Sequence, residues 1–347
     1  MQVKVNRTDL VRNGHYIEEY QLTNDQGFSL KLSNLGCTLM ELLWPDSKGM
    51  VKDILLGYDS ITAWYDDQSF FGSTAGRCCN RIRDSKVTIG EQEYALTANI
   101  PPHQLHGGLT GFNKKMWRGY PFTSNERAGV TMFYNSQHLE EGFPGNLSVE
   151  ATISLTNKNE LIIEYKAFTD QLTICNLTSH PYFNLDGSND ILNHTLWMDA
   201  DFITEIDNEF LTTGHTLAVK GTPFDFTIPS KIGKQLSVVH PQMILADHGI
   251  DHNYIINQPT PGIAVASLQG DTSGRQINIF TNQPGIQLYT ANHLDFIGKN
   301  GLHYPKYAGI CLETQGFPNA ANISSFPSVM LRPGEQYYSY TKIEMAG

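Results

Sequence analysis

Five short segments set titratable or hydrogen-bonding side chains beside glycine, proline or aromatic residues. They are Ala75-Gly76-Arg77-Cys78-Cys79-Asn80-Arg81-Ile82, Gln104-Leu105-His106-Gly107-Gly108, Thr178-Ser179-His180-Pro181-Tyr182-Phe183-Asn184-Leu185, Gly249-Ile250-Asp251-His252 and Gly309-Ile310-Cys311-Leu312-Glu313-Thr314-Gln315. His180 precedes Pro181, which biases its backbone toward an extended conformation, and the rings of Tyr182 and Phe183 can wall a pocket beside it. Burial there would lower the imidazole pKa and a carboxylate neighbour would raise it. Either way the group titrates in the range useful to a general acid. A core histidine capping a backbone carbonyl would have the same local sequence. In the last segment Ile310 and Leu312 share one face of an extended run, with Cys311 and Glu313 on the other. A carboxylate on so apolar a strand lies either at a solvated edge or in a working site, where partial burial makes it a stronger base near neutral pH.

The remaining polar residues suit binding. His106 before Gly107-Gly108 reads as a side chain on a tight turn that lets other groups approach closely. Asn80 and Arg81 carry planar donors suited to sugar hydroxyls or a carboxylate; a structural arginine paired with an acid fits equally. Asp251 is either that acid or an acceptor of two ligand hydroxyls. Gln287 points away from the face of Ile286 and Leu288, toward whichever cavity lies on that side. His248 and His252 are spaced i, i+4, which shares a face only on a helix, and Gly249 with the extended residues after it opposes one. Zinc needs three or four convergent ligands, so no metal is expected. Cys78-Cys79 reads as buried structure. P-loop, G-x-G-x-x-G, G-x-S-x-G and H-E-x-x-H motifs are absent.

Period-two alternation predicts the elements that position these groups. Phe28, Leu30 and Leu32 share a strand face. Val87 and Ile89 lead through a Gly90 turn to Tyr94 and Leu96. Val149, Ala151, Ile153 and Leu155 alternate up to Asn157-Lys158-Asn159, and Leu161, Ile163, Tyr165 and Ala167 continue, which predicts a β-hairpin. Ile277 and Ile279, a turn near Asn282-Gln283-Pro284-Gly285, then Ile286 and Leu288 predict a second hairpin. Helices are few and short: Asp59 to Asp67 with Asp59 as N-cap, and Ser230 to Leu236. With no strand–helix–strand alternation, repeat or linker, the expectation is one all-β domain over 1–347, an antiparallel β-sandwich.

The chain has 347 residues, 40% hydrophobic and 17% charged, with Lys+Arg 24 against Asp+Glu 35 and a net charge of −11. That balance argues against nucleic-acid and anionic-membrane partners, which need clustered cations. The amino terminus lacks a signal-peptide pattern, no run of about 18 apolar residues occurs, and five cysteines without a C-x-x-C pair suggest neither disulfides nor zinc. The expectation is a soluble cytoplasmic protein of undetermined oligomeric state.

Taken together, the segments resemble one family. Cys79-Asn80-Arg81-Ile82, Leu105-His106-Gly107-Gly108 with Gly111-Phe112 and Trp117, Gly142-Phe143-Pro144-Gly145-Asn146-Leu147, and the run from Asn176 to Leu185 are similar to motifs of the galactose mutarotases (aldose 1-epimerases). So are Gly249-Ile250-Asp251-His252, the run from Leu312 to Pro318, and Leu331-Arg332-Pro333-Gly334-Glu335 with Tyr337 and Tyr338. The resemblance implies a large antiparallel β-sandwich with an open sugar cleft, no cofactor and a monosaccharide substrate. Position by position it implies Glu313 as general base and His180 as general acid. It places Asn80, Arg81, His106, Tyr182, Asp251 and Gln287 in contact with sugar, His106 also stabilising charge during ring opening. Pro181 and Cys78-Cys79 depart from the family pattern without touching a titratable group of that set.

The implied reaction suits a hemiacetal. The C1 hydroxyl loses a proton to Glu313 while His180, on the opposite side of the C1–O5 unit, protonates the ring oxygen. The ring opens, C1–C2 rotates, and closure occurs on the other face. Each proton transfer is worth about 10²–10⁴-fold, and two with orientation reach roughly 10⁶-fold. A glycoside hydrolase would need two flanking carboxylates, for which only Glu313 and Asp251 stand as candidates. A carbohydrate-binding protein would need no acid–base pair. A hexose-6-phosphate 1-epimerase would need further cations, and beyond Arg81 no cluster is visible.

Overall fold

The expected hairpin of alternating residues is the spine of the largest sheet. Strands Leu147–Thr156 and Glu160–Thr169 pair antiparallel. Their register sets Val149 against Ala167, Ala151 against Tyr165, Ile153 against Ile163 and Leu155 against Leu161, all buried. Each aliphatic side chain so buried contributes about 1.5–3 kcal/mol. The computed structural model describes residues 1–45, 49–260 and 262–346, so the last residue of the expected 1–347 domain, Gly347, lies outside the described residues.

Around that hairpin nine antiparallel strands run in the order Arg118–Thr123, Arg127–Ser136, Leu147–Thr156, Glu160–Thr169, Tyr337–Ala346, Gln276–Thr281, Ala266–Gln269, Thr195–Met198 and Ser230–Lys231. The first five strands, from Gln2–Arg12 to Val51–Asp53, form a meander of their own. A third, five-stranded sheet orders Thr212–Ala218, Phe202–Ile206, Asp251–Ile255, Gly285–Tyr289 and Cys311–Gln315. One hydrophobic cluster joins all three, with Leu30 and Leu42 from the first, Ile153 and Ile163 from the largest, and Ile203, Ile286 and Leu288 from the third. The fold is the expected antiparallel β-sandwich.

The second expected hairpin does not form. Gln276–Thr281 pairs with Ala266–Gln269 and Tyr337–Ala346, whereas Gly285–Tyr289 pairs with Asp251–Ile255 and Cys311–Gln315. The intervening Asn282-Gln283-Pro284 segment crosses between sheets, held by the Asn282 amide donating to the Tyr340 carbonyl (3.3 Å). A local turn signal was outweighed by long-range pairing. Both expected helices are shorter than their signals: they are Ile61–Asp66 and Ile232–Leu236. Ser60, not Asp59, caps the first, because Asp59 Oδ2 accepts the Asn300 amide (2.7 Å). Ser230 and Lys231 pair with the strand at Thr195 and Leu196 instead of starting the second. A third helix, Pro241–Leu245, was not expected. Among the described residues no helix is long and apolar enough to cross a membrane.

Arg77 ties the site-forming segment to the sheet. It is 2% exposed, and burial lowers its guanidinium to about 10, so it remains charged at neutral pH. Nη1 donates to the carbonyls of Pro144 (2.8 Å) and Gly145 (3.0 Å). Nη2 donates to Ser136 Oγ (2.6 Å) and to the carbonyls of Ser136 and Gln137. Ser136 Oγ in turn donates to Glu140 (2.8 Å). Arg77→Met strands several buried acceptors at about 1–3 kcal/mol each. We expect the unfolding free energy to fall by at least about 3 kcal/mol, measured from denaturant midpoints; an unchanged midpoint contradicts this role.

Candidate active site

Three structural pieces converge on a cleft of about 200 Å³, on the scale of one sugar ring. The first piece is the third sheet. Its register sets Gln287 opposite Glu313, and Tyr289 opposite both Asp251 and Cys311. Directly opposed residues share a face, so one face presents Asp251, Tyr289, Gln287, Cys311 and Glu313. The second piece is the short pair Thr178–Ser179 with Thr74–Ala75. Beyond it the His180 amide donates to the Ser73 carbonyl (3.0 Å) and the Gly72 amide to the His180 carbonyl (2.9 Å). His180 is thus anchored on both sides of its α-carbon, in the extended path that Pro181 favours.

The third piece is the turn at His106. Arg81–Ile82 pairs with Gln104–Leu105, and the His106 amide donates to the Asn80 carbonyl (3.1 Å). Gly107, at φ 93°, packs so closely that a Cβ there would sit 1.8 Å from the Gly76 carbonyl oxygen. The turn therefore needs glycine, as the sequence suggested. The Asn80 amide donates to His106 Nδ1 (3.2 Å), which leaves the neutral imidazole its proton on Nε2. His106 is thereby a hydrogen-bond donor through Nε2.

Glu313 and His180 meet at the floor. Glu313 Oε1 lies 3.4 Å from His180 Nε2, with the side chains 2% and 6% exposed. The groups stand side by side, and two neighbouring oxygens on one carbon are what such a pair can address. Burial pushes the Glu313 carboxyl well above its usual range, the nearby Asp251 charge adds to this, and Arg81 opposes it. Burial also lowers His180 to about 4, and His106 is driven well below the usual imidazole range, first by burial and then by the nearby His180 and Arg81, which oppose a second positive charge. For Glu313 and His180 both shifts favour the uncharged forms, carboxyl and imidazole.

Seven of the eight expected residues line the cleft: Asn80, Arg81, His106, His180, Tyr182, Asp251 and Glu313. Gln287 does not. It is buried, and its Nε2 donates to Asp251 Oδ1 (2.6 Å), so it holds Asp251 from behind. Arg81 Nη1 is 3.7 Å from Asp251 Oδ2, so the two pair, as one reading of them expected, and both also line the cleft. The Tyr182 hydroxyl donates to the Ser69 carbonyl (2.9 Å), so it offers the cleft its ring. Sequence reasoning missed Phe70, whose ring lies 4.6 Å from that of His106 and 6.2 Å, stacked, from that of His180. It also missed Tyr289, which strand alternation from Gln287 would have found, and His293. Ser69-Phe70-Phe71-Gly72 has the aromatic and glycine character of the chosen segments but no titratable side chain. His252 is a core residue, its Nδ1 accepting the Asp251 amide (3.2 Å) and its Nε2 3.1 Å from Gln242 Oε1. All five cysteines are buried free thiols.

Ligand-capable atoms of His106, His180 and Glu313 lie within 4.8 Å of one another. One small polar ligand, or one cation, can touch all three. Because burial lowers His180, its imidazole should stay neutral from pH 8 to pH 5 and gain a proton only near pH 4. Resolved ring-proton shifts by NMR, assigned with a His180→Asn variant, check this; a titration near the ordinary value of about 6.5 contradicts the burial argument.

Comparison with known proteins agrees with this geometry. A sequence model of the aldose 1-epimerase family matches residues 18–344. The chain is 40% identical over 342 residues to galactose mutarotase of Mus musculus, covering 96% of each chain. It is 32% identical to the aldose 1-epimerase of Escherichia coli K12, covering 93% of each. Among solved structures, the galactose 1-epimerase of Lactobacillus acidophilus superposes with a TM-score of 0.89 at 28% identity, over 99% of this chain and 98% of that one. A GalM/aldose epimerase homologue of Caenorhabditis elegans gives 0.87 at 31% identity, over 94% and 98%. With a matching family model over most of its length and relatives aligned nearly end to end, the chain belongs to the aldose 1-epimerase family.

Proposed function

We propose that this chain interconverts the α and β anomers of free hexoses, galactose and glucose first, with Glu313 and His180 as its acid–base pair. The observation that carries the reading is the 3.4 Å contact between those two buried groups at the floor of a sugar-sized cleft. The galactose mutarotase and aldose 1-epimerase relatives support the reaction class and the substrates. Asn80, Arg81, Asp251 and His106 bind the sugar, Tyr182 and Phe70 wall it, and Gln287 positions Asp251. Action as a single domain in the cytoplasm belongs to the same reading, and five buried free thiols suit a reducing compartment.

In this mechanism the pair works with one proton. When sugar binds, the proton passes from Glu313 to His180 Nε2, giving carboxylate and imidazolium. Arg81, which favours the carboxylate form, assists. The carboxylate takes the C1 hydroxyl proton as Nε2–H protonates O5, and the C1–O5 bond breaks to leave the open-chain aldehyde. His106 Nε2–H is a neutral donor to oxygen carrying charge in the transition state. Rotation about C1–C2 presents the other carbonyl face. His180 then takes the O5 proton and Glu313 returns its own to the new C1 hydroxyl; as the closed ring leaves, the proton passes back from His180 Nε2 to Glu313 and the pair is as it began.

Glu313→Gln should slow anomer interconversion about 10²–10⁴-fold with circular dichroism and melting unchanged, measured by polarimetry on freshly dissolved α-galactose. Wild-type activity should survive EDTA and should not be competed by glucose 6-phosphate. Retained activity in the variant removes Glu313 from its role. Loss with EDTA would assign the His106–His180–Glu313 cluster to a metal, and competition by the phosphosugar would redirect the substrate.

A further inference from the structure

Cys311 and Glu313 lie two residues apart on the strand Cys311–Gln315, so their side chains leave the same face. Between them they bracket one imidazole. Cys311 Sγ is 3.5 Å from His180 Nδ1, and Glu313 Oε1 is 3.4 Å from Nε2. The ring is thus addressed at both nitrogens by one strand, and a neutral imidazole must donate at one nitrogen and accept at the other.

From this bracketing we infer that Cys311 is a positioning residue for the acid: its sulfur receives the Nδ1–H of His180, so that Nε2 alone exchanges protons with Glu313 and the sugar. The inference rests on the acid–base roles proposed above, because a proton can pass between Glu313 and the ring only if Nε2 is free to accept it. The alternative, a thiol S–H donated to Nδ1, would put the ring proton on Nε2 and close that route.

The choice of sulfur has a chemical consequence. A carboxylate behind an imidazole stabilises the imidazolium; a neutral thiol is a weak acceptor and does so little. Cys311 sits wholly buried against Tyr182, Ala291 and other apolar side chains, and burial with the Glu313 and Asp251 charges pushes its thiol well above the usual range, so it stays neutral. The groups facing the His180 ring are therefore Glu313, Cys311, His106, Tyr182, Tyr289 and Phe70. The carboxyl is the group among them that shares its proton at Nε2. The resulting imidazolium is a strong acid, suited to protonating a weakly basic ring oxygen.

The test is ¹⁵N NMR of the ring nitrogens at neutral pH in wild type, Cys311→Ala and Cys311→Ser, read beside kcat and KM. The wild type should carry its ring proton on Nδ1. Cys311→Ala should mix the two tautomers and lower kcat about 10–100-fold, the size of loss seen when a partner that orients a metal-bound imidazole is removed, with KM near the wild-type value. Cys311→Ser, which keeps an acceptor at that place, should restore both. A wild-type proton on Nε2 overturns the inference, as does a Cys311→Ala variant with unchanged tautomer and kcat. The tautomer is read without substrate, so a wild type with the Nδ1 proton but no anomer interconversion would overturn the reaction and uphold the Cys311 contact.

Discussion

A carboxyl and an imidazole held 3.4 Å apart and almost wholly out of water resist carrying charge, and the surroundings of Glu313 and His180 follow from that constraint. Desolvation drives each toward its uncharged form, and in the proposed mechanism the pair shares one proton with two places to put it. A pair in that condition can remove a proton from one oxygen and deliver one to its neighbour without any net change in charge. Anomer interconversion asks for that and little more. Charge that does develop is met nearby: Arg81 and Asp251 lie 3.7 Å apart at the cleft wall, compensating each other while biasing Glu313 in opposite directions.

Holding the pair so closely is the task of the fold. Glu313 rides on a strand whose register with Gly285–Tyr289 and Asp251–Ile255 delivers Asp251, Tyr289, Gln287, Cys311 and Glu313 to one face. His180 arrives from another direction and is pinned by backbone hydrogen bonds to residues 72 and 73. The His106 turn closes against Gly76 through a glycine that no other residue can replace without moving the backbone. Behind that turn Arg77, a buried cation with backbone and hydroxyl acceptors, fastens the segment to residues 136–145. The two site histidines end up with complementary tasks. His106 has its Nδ1 occupied by a backbone amide and donates through Nε2. His180 faces sulfur at Nδ1 and exchanges protons through Nε2.

Much of this was legible in the sequence where local chemistry decides it. The alternation of Val149 to Leu155 against Leu161 to Ala167 predicted both strands and their hairpin, because each side chain's burial follows its own position. His180 and Glu313 were visible as polar groups in apolar, aromatic company. The failures share a cause in contacts between residues distant along the chain. Ile277 and Ile286 were assigned to one hairpin on a turn signal, but their partners are supplied by strands at 266–269, 337–346, 251–255 and 311–315. Asp59 looked like a helix cap until Asn300 claimed its carboxylate. Gln287 lies on the expected face, opposite Glu313, but its amide is taken up by Asp251. Phe70 carries no titratable group and drew no notice, although its ring covers both site histidines.

The most direct test of a shared proton is a double-mutant comparison: polarimetric rates on α-galactose for Glu313→Gln, His180→Asn and the two combined, at one pH and with folding verified. Two groups that pass a single proton act as a unit, and removing the second partner then has little left to remove. The double variant should be about as slow as the slower single variant. Rate losses that multiply would mean that Glu313 and His180 act independently, and would contradict the one-proton account.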